Sequence, residues 1–67
     1  MKYDLVGVDG NAFNVMGYVV SAMKDCGLGK DEQYTYQLDA MSGDYNHLLC
    51  VSCKMIEKCN SLCQGGS

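Results

Sequence analysis

Between Asn11 and Cys26 the side chains sort by polarity at helical spacing. Placed at about 100° per residue, Ala12, Phe13, Val15, Met16, Val19, Val20, Ala22, Met23 and Cys26 fill one arc of roughly half the circumference. Asn14, Gly17, Tyr18, Ser21, Lys24 and Asp25 fill the other. Asn11 can accept a hydrogen bond from a free amide of the first turn, and Gly27 can take the left-handed conformation that ends a helix. Start, period and stop agree. An apolar arc this wide calls for two covering elements.

Two further helices are expected to supply the cover. After Gly27-Leu28-Gly29, the pattern predicts a helix from Lys30 to about Met41, with Gly29 at its start and Asp31 and Glu32 favoured in its first turn. Tyr34, Leu38 and Met41 fall at i, i+4 and i+7 and give it a narrow apolar stripe. Ser42-Gly43-Asp44 closes that helix, with Gly43 just past its end, and opens a third with Asp44 as N-cap. The third is expected from Tyr45 to Cys59 or beyond, turning Tyr45, Leu48, Leu49, Ser52, Met55, Ile56, Cys59 and Cys63 inward and His47, Lys54, Glu57, Lys58 and Ser61 outward. Ahead of the helices, residues 2–8 alternate weakly and read as a short strand or an extended arm. A strand here needs a partner for its backbone groups, in this chain or in a second copy. The fold class is therefore mainly α: an N-terminal strand or arm and three helices in one small domain over residues 1–63, with 64–67 a disordered tail.

Length sharpens the picture. A 67-residue chain buries a modest core, and chains of this size lean on disulfides, a metal or self-association. Lys2 is the only early positive charge, Asp4 and Asp9 interrupt any leader-like apolar run, and no stretch nears the roughly 18 residues of a membrane span. The chain reads as soluble and cytoplasmic, with no membrane partner. Eight acidic residues against five scattered lysines give a formal charge of −3, and arginine is absent. That balance argues against nucleic-acid binding, which calls for a basic patch.

Two blocks carry a resemblance. Asp4-Leu5-Val6-Gly7 with Asp9-Gly10-Asn11-Ala12-Phe13, followed by Ser42-Gly43-Asp44-Tyr45-Asn46-His47-Leu48-Leu49, resembles a group of small uncharacterised proteins of bacterial genomes and their phages. The likeness covers the first fifty residues and ends at the cysteine-rich segment. It implies a mobile-element setting and carries no activity, so no catalytic residue is transferred.

Four of the five cysteines lie close together as Cys50, Cys53, Cys59 and Cys63, and such spacing raises the question of zinc. On one continuous helix, however, Cys50 and Cys53 point to an outer flank and Cys59 and Cys63 to the core, about 6 residues apart at 1.5 Å each. The alternatives are a metal site that breaks the helix, or two buried and two flanking thiols. An odd count in a cytosolic setting favours reduced thiols over disulfides. Gly10 and Asn11, at a helix start after a Gly-x-x-Gly turn, are candidates for holding an anion or nucleotide, though the turn and cap explain them too. Asp44 and His47 stand at i and i+3 as a conceivable dyad, with capping as the competing role. No catalytic residue and no cofactor is assigned. Tyr18, Tyr34, Tyr36 and Tyr45 are either interface residues or amphipathic edges of the core. The expectation is a non-enzymatic interaction module that binds a protein partner and forms a homodimer; the alternative is a module for a small anion, a nucleotide or a metal.

Overall fold

The computed structural model describes residues 3–5, 7–8 and 10–64, with positions 63 and 64 followed by backbone alone. The protein is mainly helical, with α1 spanning Ala12–Asp25, α2 Lys30–Ala40 and α3 Tyr45–Gln64. No strand occurs among the described residues. The strand expected over 2–8 falls partly on Lys2 and Val6, which lie outside them, as do residues 65–67 of the expected tail.

Each helix starts and stops for a local reason. Asn11 sits in extended backbone and its side chain accepts from the Phe13 amide, and Gly27 takes φ +82 just past the other end of α1. In that turn the Leu28 amide donates to the carbonyl of Met23 and the Gly27 amide to that of Lys24. Asp31 and Glu32 stand in the first turn of α2. The Asp44 carboxylate accepts from the His47 amide at 2.9 Å and starts α3. Gly43 differs from expectation. It has no positive φ, and its value is room: a Cβ there would stand 2.7 Å from Cγ of His47.

α3 packs against both α1 and α2 and closes the core. Val19 and Met23 of α1, Tyr36 of α2, and Ser52 and Cys59 of α3 are fully enclosed. The two covering elements that the α1 arc demanded are thus present, but they cover its centre rather than its whole width. Val15, Val19, Ala22 and Met23 are buried, whereas Phe13 at the flank is 76 % exposed.

α2 buries a different face from the one its apolar stripe indicated. Tyr36 and Ala40 point inward at 2 % exposure each, while Tyr34, Leu38 and Met41 are at least half exposed. The two faces lie roughly 150° apart at 100° per residue. Two side chains decide the orientation. Ala40 is small enough to permit close approach, and the Tyr36 ring enters the core because its hydroxyl reaches Ser52 Oγ at 2.7 Å. Burial raises the Tyr36 phenol pKa above its ordinary value, the Ser52 hydrogen bond acting in the opposite sense.

The leading segment is tied down by side chains. The Tyr3 amide donates to Asn60 Oδ1 at 2.7 Å, and Asn60 Nδ2 donates to the Tyr3 carbonyl at 2.9 Å. One buried amide of α3 therefore serves both backbone polar groups of a buried residue. The Asp4 amide donates to the Tyr18 hydroxyl at 2.9 Å, which draws Tyr18 from its expected outward position to a half-buried one. Among the described residues no helix is long and apolar enough to cross a membrane.

Candidate interaction surface

The side chains left over from the core gather on one side of the molecule. On α1, Phe13, Met16, Gly17 and Val20 share a flank. They line a groove of about 290 Å³ whose far wall is Gln37 of α2. A second hollow, of about 240 Å³, continues from Met16 and Ala12 to Met41, Tyr45 and Asp44. Tyr34 and Met41, at i−3 and i+4, flank Gln37 on the same side of α2 by helical spacing. The result is a face across α1 and α2, with Phe13, Tyr34 and Met41 as its most exposed apolar groups and Tyr45 at its edge.

This face carries no charge between Ala12 and Met23 of α1, nor at Tyr34, Gln37 and Met41 of α2. Its charges stand at the two ends: Asp44 where α1 begins, and Lys24 and Lys30 where α1 finishes and α2 starts. An exposed surface depleted of charge and rich in aromatic and methionine side chains has the composition of the centre of a protein interface. Periodicity had placed Phe13 inside the core, so reading α1 alone missed this surface. The signal available was that the α1 arc is wider than two small helices can cover.

The opposite groove, between α2 and α3, is of another kind. Asp31, Glu32 and Asp39 stand on one wall and His47, Lys54 and Lys58 on the other, over Val51 and Met55. At its end, His47 Nε2 lies 2.9 Å from the Asp39 carbonyl and 3.2 Å from the Asp39 carboxylate. A carbonyl can only accept, so Nε2 carries the hydrogen. The same carbonyl accepts from Ser42 Oγ at 2.6 Å. Ser42 and His47 together close the last turn of α2, where orphan carbonyls and the helix dipole favour such donors. Asp44 meets His47 through the backbone amide rather than the ring. The Asp44–His47 pairing considered from spacing is thus a helix start, and the imidazole belongs to the end of the helix before it.

The remaining candidates are also placed. Asn11 uses its side-chain oxygen on the Phe13 amide, and Gly10 offers its carbonyl to the Tyr45 hydroxyl. The start of α1 is thereby engaged with its own turn and with α3. Cys50 and Cys53 are exposed on α3 and Cys59 is enclosed, with the Cys26 thiol donating to the Cys59 carbonyl at 3.2 Å. The Cys63 side chain lies outside the described residues. Among the described residues no group of three or more His, Cys, Asp and Glu side chains is arranged to hold a metal ion. Replacing Cys50 and Cys53 together by serine is therefore expected to move the urea midpoint by the equivalent of no more than about 0.5 kcal/mol, the range of ordinary surface changes. Comparison with protein-family models, with curated proteins and with solved structures finds no match for this chain.

Proposed function

We propose that this chain is a non-enzymatic interaction module that docks protein through the α1–α2 face, in the mobile-element setting that its DGNAF and SGDY-x-HLL blocks point to by resemblance. The observation that carries the reading is the uncharged face itself, on which Phe13 stands 76 % exposed. Leaving that many apolar groups in water costs a small chain apolar burial it can scarcely spare. A docked protein recovers it.

The test is photo-crosslinking in cells with 4-benzoylphenylalanine at position 13 and, as the control, at the exposed Glu57 of α3. The expected result is a discrete protein adduct from position 13 and none from position 57. No adduct from position 13, or equal labelling from both, overturns the proposal.

A further inference from the structure

The partner on this face is, we infer, a second copy of the chain, packed antiparallel about a two-fold axis so that Phe13 of each copy enters the notch at Gly17, Val20 and Gln37 of the other; the inference rests on the docking role proposed above. Shape is the first argument. Phe13 is the most exposed large apolar residue described. Gly17, one turn further along the same flank, is a gap: a Cβ built there meets nothing within 4 Å. A two-fold interface pairs each patch with its own copy, so a knob and a notch four residues apart are matched when the axis passes between them. One rotation then fills both notches.

Charge is the second argument. The chain carries −3, and two copies of a charged face repel each other. The middle of this face is neutral, so copies can meet there without that cost. Its ends are of opposite sign, and the antiparallel arrangement swings the Lys24 and Lys30 end of each copy toward the Asp44 end of the other. With the axis near Val15, the two Lys24 residues lie roughly 27 Å apart along α1 at 1.5 Å per residue, well beyond screening range. A strongly basic or acidic partner finds no complementary field on the same surface. Size is the third argument. A stable pair buries about 800 Å² per copy, about a fifth of the 4324 Å² that the chain exposes. A face two helices wide along all of α1 is of that order.

Native mass spectrometry and sedimentation of the reduced protein across a dilution series test the inference. The wild type is expected as a dimer. Phe13→Asp and Gly17→Lys are each expected as monomers with unchanged circular dichroism, since both sites are exposed. Loss of an aromatic hot spot weakens binding about thirtyfold per copy, and about a thousandfold for the symmetric pair. Mixing the two variants should restore a heterodimer, because the new carboxylate of one then faces the new ammonium of the other in this register alone. A wild type that stays monomeric, a dimer that survives Phe13→Asp, or a mixture that stays monomeric overturns it. A monomer whose position 13 still crosslinks to a foreign protein sinks the second copy and leaves the docking role standing. The absence of any adduct sinks both.

Discussion

Tyr36→Ala is expected to leave the chain largely unfolded in plain buffer. Removing a buried aromatic ring costs about 3–5 kcal/mol, and a single core of this size rarely supplies more than about 3–5 kcal/mol in all. Tyr36 is 2 % exposed, and its hydroxyl is hydrogen-bonded to that of Ser52, itself fully enclosed. The alanine variant therefore opens a cavity and strands a hydroxyl together. Tyr36→Phe separates the two effects. It keeps the ring, leaves Ser52 Oγ without that bond, and should cost about 1–2 kcal/mol in urea unfolding. Adding Ser52→Ala to Tyr36→Phe should cost less than the sum of the single changes, since the second removes the stranded group.

The same pair fixes a pH dependence. Burial, the dominant cause, lifts the Tyr36 phenol above 10.0, partly offset by Ser52. Below the ordinary value both folded and unfolded chains hold the proton, and the stabilisation from the neutral phenol is complete. Above it the unfolded chain releases a proton that the folded chain keeps, so stability falls as pH climbs from about 10 through the folded value. The advantage of wild type over Tyr36→Phe should be constant from about pH 7 to about pH 9 and shrink beyond about pH 10. A difference that stays flat throughout would show that the phenol is not held neutral by its surroundings.

The elements were legible because each is written locally. Asn11 and Gly27, Asp44, and the acids after Gly29 mark helix ends by short-range hydrogen bonding and dipole effects that need no knowledge of the rest of the chain. Which way α2 would face was not legible. Its apolar residues Tyr34, Leu38 and Met41 offered the stronger stripe, and the outcome turned on a hydroxyl pair between residues sixteen positions apart. A tyrosine that finds its hydrogen bond inside the core outweighs three apolar groups left at the rim. Asn60 and Tyr18 were obscured for the same reason. Each looks like an ordinary polar or amphipathic position until a backbone segment from the far end of the chain lies against it.

The candidate surface was half legible. Excess apolar width on α1 was plain from periodicity alone. Naming the residues required knowing where cover stops, which is a matter of helix–helix geometry. Once α2 turns Tyr36 and Ala40 inward, Tyr34 and Met41 of its discarded stripe fall beside the uncovered flank of α1. The two excesses then merge into one neutral face. The residues that the sequence pattern misassigns, Phe13 on α1 and the Tyr34 and Met41 side of α2, are thus the ones that make up the exposed neutral face.

Asn60→Ala is the second substitution expected to act strongly, at about 2–4 kcal/mol in urea unfolding, because it withdraws the bonds to two backbone groups of Tyr3 at once. The alternative open to the variant is to release the segment to water, which gives up the burial of Tyr3, now 8 % exposed, and costs a similar amount. Both routes pass through the same contact, so Tyr3→Ala and Asn60→Ala should be far from additive. Asn60→Asp discriminates hydrogen bonding from bulk. An ionised carboxylate can accept from the Tyr3 amide but cannot donate to the Tyr3 carbonyl, which it faces lone pair to lone pair. The protonated acid does both, so the folded chain raises that pKa above its unfolded value of about 3.9. The stabilisation is complete below that value and fades as pH rises through the folded one. Asn60→Asp should therefore approach wild type at about pH 4 and fall toward Asn60→Ala near about pH 7. If the two variants keep a constant difference across that range, the two-point grip on Tyr3 is not what holds the segment in place.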